Sequence, residues 1–339
     1  MRSAASGWRA TGQAIAPLVK AYEMNEKEWN GPIAEKIAAR SVARWLDEID
    51  ADSDMRATAL TMRNFYVADP EDLSLVVYVE QFAEGTDPAR NALYRISGGS
   101  DRLPERMARA LRASIRLRHV VRRIVQTRNE VRVTVENQGR RSEITAACAV
   151  VTVPAPIAAE MDFEPGLPEA QRDALTRLRY GPATKTLLQF DRYSWRAGGK
   201  PRACGTDLDI GAVWDASEDQ RAKKGMLTLL AGGGASAATK MLLKEGGPAE
   251  LVKRLGFFGI GRARLIASRS VHWEDDPWAR GVYAAFDPFF PVANRRLLAL
   301  PNGRIFFAGE HTSAKWQGYM NGAVASGQRA AEEIAALFL

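Results

Sequence analysis

The stretch that decides the fold is Arg304-Ile305-Phe306-Phe307-Ala308-Gly309-Glu310-His311-Thr312, continued by Trp316-Gln317-Gly318-Tyr319-Met320-Asn321-Gly322-Ala323-Val324 and Ser326-Gly327. Its first five residues are a short apolar run bounded by turn residues, which predicts a buried strand. Residues 309–318 form a loop opened by a glycine. Residues 321–339 carry apolar side chains at helical spacing, with Val324, Ala331, Ile334 and Leu337 expected to face inward.

Working back from there, residues 263–272 predict a strand, preceded by a helix over 248–257 with Leu251, Leu255 and Phe258 on one face. Residues 186–190, 211–214 and 226–230 predict three more strands. An apolar run over 146–153 predicts a strand ending at Pro154. Residues 121–126 and 131–136, separated by Thr127-Arg128-Asn129-Glu130, predict a hairpin. Ile115 and Leu117 alternate with arginines in strand fashion. A helix is expected over 103–111, with Leu103, Met107, Ala110 and Leu111 inward, after a turn at 95–100. Further back the pattern turns helical. Asn30-Gly31-Pro32 starts a helix over 33–49 carrying Ile33, Ile37, Val42, Trp45 and Ile49, and Asp69-Pro70-Glu71-Asp72 starts another over 73–82. Residues 1–91 therefore read as a mainly helical unit. There is no internal repeat and no low-complexity tract.

The 339 residues suffice for two domains at roughly 100–200 residues each. Hydrophobic residues at 46% and charged residues at 26% exclude disorder of the whole chain. The +7 formal charge is spread over 47 basic and 40 acidic residues, without a basic block interleaved with aromatics, so no nucleic-acid partner is expected. Two cysteines, Cys148 and Cys204, make neither a disulfide framework nor a paired zinc motif. The three histidines, His119, His272 and His311, lie in no metal-ligand spacing, and no metal site is expected. There is no G-x-S-x-G nucleophile elbow. No apolar segment is long enough to span a membrane and residues 1–20 lack a secretory apolar region, so the expected location is cytoplasmic.

Gly232-Gly233-Gly234-Ala235-Ser236-Ala237 follows a predicted strand and precedes a helix, a loose fit to a dinucleotide loop. No strand ending in a ribose-binding acid follows at the required distance of roughly 20 residues. The plain reading is a turn closing a strand. Gly259-Ile260-Gly261 is weaker, since no strand precedes it.

The C-terminal strand, loop and helix resemble the flavin-containing amine oxidase family, which includes monoamine, polyamine and L-amino-acid oxidases. Tyr94-x-Ile96-x-Gly98-Gly99 with Leu103, then Ile115-x-Leu117-x3-Val121-x2-Ile124, resembles the family's second FAD-domain segment. Residues 273–283, with Asp276-Pro277-Trp278-Ala279-Arg280-Gly281, resemble the segment that returns to the flavin. The resemblance implies an α/β, two-domain fold: a Rossmann-like FAD domain, incomplete here, plus a mixed α+β substrate domain with a helical insert. The implied division is 1–91 (helical part of the substrate domain), 92–160 (FAD-domain segment), 161–275 (substrate domain with mixed sheet) and 276–339 (C-terminal FAD-domain segment).

Site roles follow from the same resemblance. The last helix, entered through Gly318, Tyr319 and Met320, would aim its N-terminus at the pyrimidine edge of the flavin, where the positive end of the dipole stabilises negative charge. Gly309 would let the backbone approach the cofactor. Glu310 would bond its ribityl or phosphate region, Val121 would touch adenine through its backbone, and Trp273 would pack near the ring. Lys185 matches the lysine that holds a water near flavin N5. Tyr283 and Tyr319 match the aromatic pair flanking the substrate amine. Val282 stands where covalent members carry the cysteine that bonds the flavin, so FAD is expected to be noncovalent.

This chain carries no opening G-x-G-x-x-G strand–loop–helix, which implies a truncated or split form with a second polypeptide as a possible source of the ADP-binding unit. The expected activity is oxidation of an amine or amino acid with dioxygen. The alternatives are an inactive remnant or subunit and a flavin-dependent desaturase, against which the tyrosine pair argues. Arg56, Arg63 and Arg95 are the candidates for a substrate carboxylate.

Overall fold

The computed structural model describes residues 4–83, 96–111, 115–196, 203–218 and 224–339. Five helices come first: α1 (Ala4–Met24), α2 (Gly31–Ala38), α3 (Val42–Glu48), α4 (Ser53–Tyr66) and α5 (Leu75–Ala83). The single helix expected over 33–49 is two. Ser41 leaves helical geometry and its hydroxyl accepts the Arg44 N–H, restarting the chain as α3. Asp52 caps α4 in the same way through Asp54 and Met55 N–H.

Next come α6 (Arg102–Ala110), β1 (Val120–Gln126), β2 (Val131–Asn137), β3 (Arg140–Ala146), β4 (Ala149–Val151), α7 (Ala155–Ala158), β5 (Asp162–Glu164) and α8 (Glu169–Arg177). The β1–β2 hairpin has the expected turn and belongs to a sheet of order β3-β2-β1-β5. Three expectations fail in this stretch. No residue of α6 is buried, and Met107 and Leu111 are exposed. Ile115 and Leu117 lie outside any strand and point to solvent. The run 146–153 is broken, and only β4 is strand within it beyond the end of β3. Tyr94 and Arg95 fall outside the described residues.

The chain continues with β6 (Arg179–Tyr180), β7 (Ala183–Phe190), β8 (Ala203–Cys204), β9 (Ala212–Asp215), β10 (Gly225–Gly232), α9 (Gly234–Gly246), α10 (Pro248–Lys253) and β11 (Leu265–His272). Strands 7 to 11 form an antiparallel sheet of order β11-β7-β10-β9-β8, with α9 and α10 packed on it. Its core contains Leu188, Phe190, Trp195, Val213, Leu227, Leu229, Leu251, Leu255 and Phe258.

The last elements are β12 (Ala284–Ala285), α11 (Asn294–Leu297), β13 (Ile305–Phe307) and α12 (Met320–Leu337). β12 pairs with β6, and β13 lies parallel to β4. A second core joins the N-terminal helices to residues of β1, β2, β4, α7, α8 and β13. The inward face of α12 is not the expected one. Gly322, Ser326 and Ala330 are buried, whereas Val324 and Leu337 are 42% and 44% exposed. Small residues let the helix sit close: a Cβ at Gly322 would lie 2.0 Å from the Trp316 carbonyl oxygen. Among the described residues no helix is long and apolar enough to cross a membrane.

Candidate flavin and amine site

The loop between β13 and α12 is built around one carboxylate. Glu310 Oε1 accepts the Ala284 N–H at 3.1 Å, and Oε2 accepts the Gly318 N–H at 2.6 Å. Gln317 Nε2 donates to the Ala284 carbonyl at 2.8 Å, so both backbone groups of Ala284 are held by side chains of this loop. The Tyr180 hydroxyl lies 3.0 Å from His311 Nδ1. Burial pushes the Glu310 carboxyl above the ordinary range, against the opposing pull of Gly318 N–H, Ala284 N–H and Tyr180. Burial also pushes His311 down to about 4, so it is neutral at physiological pH.

Above this floor stand the two tyrosines. Tyr283 immediately precedes Ala284, and Tyr319 immediately follows Gly318. The Tyr283 phenol is raised by burial first and then by Tyr319 and Glu310. The Tyr283 hydroxyl donates to the Phe65 carbonyl at the end of α4. Gly318 has φ +76°, and a Cβ there would lie 3.3 Å from the Tyr283 ring, so glycine serves both the left-handed turn and the approach of the ring. Tyr319 is 62% exposed and stacks edge-on with Trp316 at 6.1 Å. Met320, also exposed, opens the 18-residue α12.

The other expected residues are distributed around this centre. Gly309 has φ +134°, and its N–H donates to Ser326 of α12. Trp273 is partly exposed, and its carbonyl accepts the Gly281 N–H two residues before Tyr283. Lys185 is exposed on interior strand β7, with Nζ 5.8 Å from the Trp214 ring centroid, rather than buried. Val121 is partly exposed and adjoins the irregularity in the β1–β2 pairing. Both side-chain oxygens of Glu310 accept N–H groups of the protein's own backbone.

Two of the three candidate carboxylate ligands are engaged elsewhere, and the third, Arg95, lies outside the described residues. Arg56 pairs with Asp47, and Arg63 pairs with Asp69 and bonds the Asp207 carbonyl. Asp69 also accepts the Gly234 N–H at 2.7 Å, at the start of α9. The position a phosphate would take in a dinucleotide loop thus holds the protein's own carboxylate, and Gly232–Gly234 is a packing turn. Among the described residues there is no cluster able to hold a metal ion, and both cysteines are free thiols.

Sequence reading missed Tyr180 and the role of His311. Their signal was faint: a tyrosine just before Gly181-Pro182 and a histidine just after Glu310, 131 residues apart in sequence.

An aromatic shelf beside the start of a long helix, over a polar floor, is the kind of site that takes a planar ring with a polar edge. The residues present fit the ring of a flavin: apolar side chains for its faces and a helix N-terminus for its electron-rich edge. Residues 41–335 match the family of flavin containing amine oxidoreductases, and the chain belongs to that family. It is 27% identical over 331 residues to flavin-containing amine oxidase B of Homo sapiens, covering 91% of this chain and 62% of that protein. It is 30% identical over 280 residues to an L-amino-acid oxidase of Siganus canaliculatus, covering 78% of this chain and 52% of that one. The chain therefore spans about three fifths of the length of the amine oxidases it matches. In fold it is similar to the cyclohexylamine oxidase of Brevibacterium oxydans, with a TM-score of 0.83 at 24% identity over 97% of this chain and 74% of that one. A putrescine oxidase bound to putrescine gives 0.85 at 20% identity over 99% and 77%.

Proposed function

We propose that this chain forms the amine-facing part of an oxidase that converts an amine or amino acid to an imine, with noncovalent FAD as cofactor. The observation that carries the reading is that Gly318, which leads into Tyr319 at the start of α12, lies against the Tyr283 ring. When bound, the flavin supplies two-electron acceptance from the carbon bearing nitrogen and onward transfer to dioxygen, with hydrogen peroxide as the second product. The chain's own work is orientation. Tyr283 and Tyr319 present ring faces to either side of the nitrogen, which holds a cationic amine and aligns its C–H bond. Trp273 and Met320 exclude water from the ring's flanks. Lys185 is assigned to holding the water that carries protons during reoxidation. The ADP portion is assigned to a segment or second polypeptide carrying a glycine-rich strand–loop–helix, since the one glycine run of this type here is taken up by Asp69.

The test is an absorption spectrum of the purified chain with FAD, alone and with such an ADP-binding segment. The expected result is flavin bands that survive gel filtration, bleach anaerobically with a primary amine, and pass into the supernatant on acid precipitation because Val282 forms no thioether. Bound flavin that no amine or amino acid bleaches would leave a remnant fold and overturn the oxidase reading. Flavin retained in the acid pellet would overturn its noncovalent part.

A further inference from the structure

Four polar side chains from β7, β11, α9 and the turn after β11 hydrogen-bond in a line. His272 Nδ1 lies 2.9 Å from Thr184 Oγ1, Thr184 Oγ1 lies 2.9 Å from Ser236 Oγ, and Ser236 Oγ lies 2.9 Å from Glu274 Oε1. Thr184 and Ser236 are 1% and 0% exposed, so water does not compete for their hydroxyls. Counting hydrogens gives the line one direction. A carboxylate only accepts, so the Ser236 hydrogen goes to Glu274. Two hydroxyl oxygens this close repel unless a hydrogen lies between them, so Thr184 donates to Ser236, whose carbonyl at 3.4 Å is a second acceptor on the same side. That uses the one hydrogen of the Thr184 hydroxyl, and its oxygen is left to accept from His272. The imidazole therefore carries a proton on Nδ1.

His272 and Glu274, the two ends of the line, are the neighbours of Trp273, and Thr184 is the neighbour of Lys185. The β7–β11 ladder ends at the pair Thr184–His272, and the chain then leaves the sheet in a single 3₁₀ turn, Trp273–Asp275. Backbone bonds from Asp276 and Gly281 hold the Trp273 carbonyl at 3.3 and 3.2 Å. The side chains add a tie from both flanks of Trp273 to β7 and to the first turn of α9. Lys240 of α9 reinforces it, with Nζ 2.8 Å from Asp275 and 3.5 Å from the Glu274 oxygen that Ser236 uses. Glu274 Oε2 is buried with no partner among the described residues, so Oε1 is the point of attachment. We propose that Thr184 and Ser236 are positioning residues that hold Trp273 beside the proposed flavin site through this one-directional chain, with His272 fixed as the Nδ1–H imidazole. The use made of Trp273 rests on the oxidase reading, whereas the chain of bonds stands without it.

The first experiment uses the full chain with nitrogen-15 histidine and needs no flavin. Imidazole nitrogen shifts are read on the alkaline side, where imidazoles are neutral, and assigned by single His→Gln variants. His272 is expected as the Nδ1–H form in the wild type and as the Nε2–H form in Thr184→Val, while His119, in the other sheet, stays unchanged. A wild-type His272 protonated on Nε2 would overturn the direction of the chain. The second experiment uses 5-fluorotryptophan, with Trp273 assigned by Trp273→Phe. Its fluorine signal is expected to shift or broaden in Thr184→Val and in Ser236→Ala, while that of Trp45, in the helical core, stays. If Thr184→Val fails to fold, Ser236→Ala decides. An unmoved Trp273 signal in the folded variants would overturn the positioning role.

In an active holoenzyme, Thr184→Val is expected to lower kcat for the amine roughly fivefold with KM within about twofold, and Thr184→Ser, which keeps the hydroxyl, is expected to stay near wild type. Equal losses in the two variants would place the effect in the packing of the side chain and sink the role of the hydroxyl. A wild-type chain inert toward amines would remove the oxidase reading while leaving the nitrogen and fluorine results to judge the chain of bonds.

Discussion

The five-stranded sheet and the parallel pair β4–β13 are held by different means. The sheet is closed by its own residues: Leu188, Phe190, Trp195, Leu227 and Leu229 on its strands and following turn meet Leu251, Leu255 and Phe258 from the segment beyond α9. It even buries a charge, Asp215, which is 0% exposed and bonded to Arg196 at 2.6 Å and to Ser217. The pair β4–β13 has only three residues on each strand. Ile305, Phe306 and Phe307 are buried, but the adjoining surfaces keep apolar side chains in solvent: Val150, Val324, Met320 and Tyr319. Arginines replace apolar mass there. Arg329 of α12 donates to the Phe307 carbonyl at 2.6 Å, and Arg304 ties β13 to the Ala147 and Arg128 carbonyls. Parallel strands are usually covered on both faces. The lesson is that one region satisfies its hydrophobic inventory internally, while the other presents apolar surface beside the proposed cofactor site.

The largest effect that could break this contrast is expected at Trp195. It is fully buried, packs edge-on against Phe190 at 5.4 Å, and fills space that a Cβ at Gly225 would invade at 2.3 Å. Trp195→Ala should cost ~4 kcal/mol, read as a lower denaturant midpoint at unchanged slope. A loss below ~1 kcal/mol would mean that the sheet's core is not the self-sufficient one.

The next effect concerns the polar floor under α12. His311 is held near 4 by burial against an ordinary value of 6.5, so a lowered folded pKa applies. Its contribution is present above 6.5 and is lost as pH falls towards 4, amounting to ~3 kcal/mol in full. Glu310, held above its ordinary range, acts with the opposite sign, its contribution being present at low pH and lost as pH rises. Thermal melts of wild type and His311→Gln, compared across that window, isolate the histidine. The variant should lose less stability on acidification, and equal losses would show that His311 is not buried as neutral imidazole.

The smallest effect is expected at Val324, on the exposed face of α12. Val324→Ser should change the stability of the chain by no more than ~0.5 kcal/mol. A loss above ~2 kcal/mol would show that this face is covered in solution, and the contrast between the two regions would then be one of partners rather than of packing.

Much of the fold was legible locally. The hairpin β1–β2 announced itself by two β-branched runs around a polar turn, and β7, β10 and β11 by their apolar content. The elements that escaped did so for identifiable reasons. β3, Arg140–Ala146, is mostly polar and exposed, so it carries no alternation to read. α6 has leucine and methionine at helical spacing, yet the described structure offers them no core. In α12 the contact face is made of glycine, serine and alanine, which weigh little in any hydrophobic pattern but allow the closest approach.

The candidate site divides in the same way. Residue types and order within residues 307–327, with Tyr283 and Lys185 upstream, were enough to point to the flavin amine oxidase family. That information is carried by short-range chain chemistry: a glycine that must turn, an aromatic residue at a helix start, a strand that must be buried. What only the tertiary structure decided is where the polar groups find partners. Sequence order does not tell that Glu310 turns its oxygens to Ala284 and Gly318, that Tyr180 and His311 meet beneath it, that Asp69 fills the glycine turn before α9, or that Arg56 and Arg63 are already paired. A buried donor or acceptor must be satisfied by some group, but which group does so depends on which distant segments the packing of the apolar cores brings within about 3 Å.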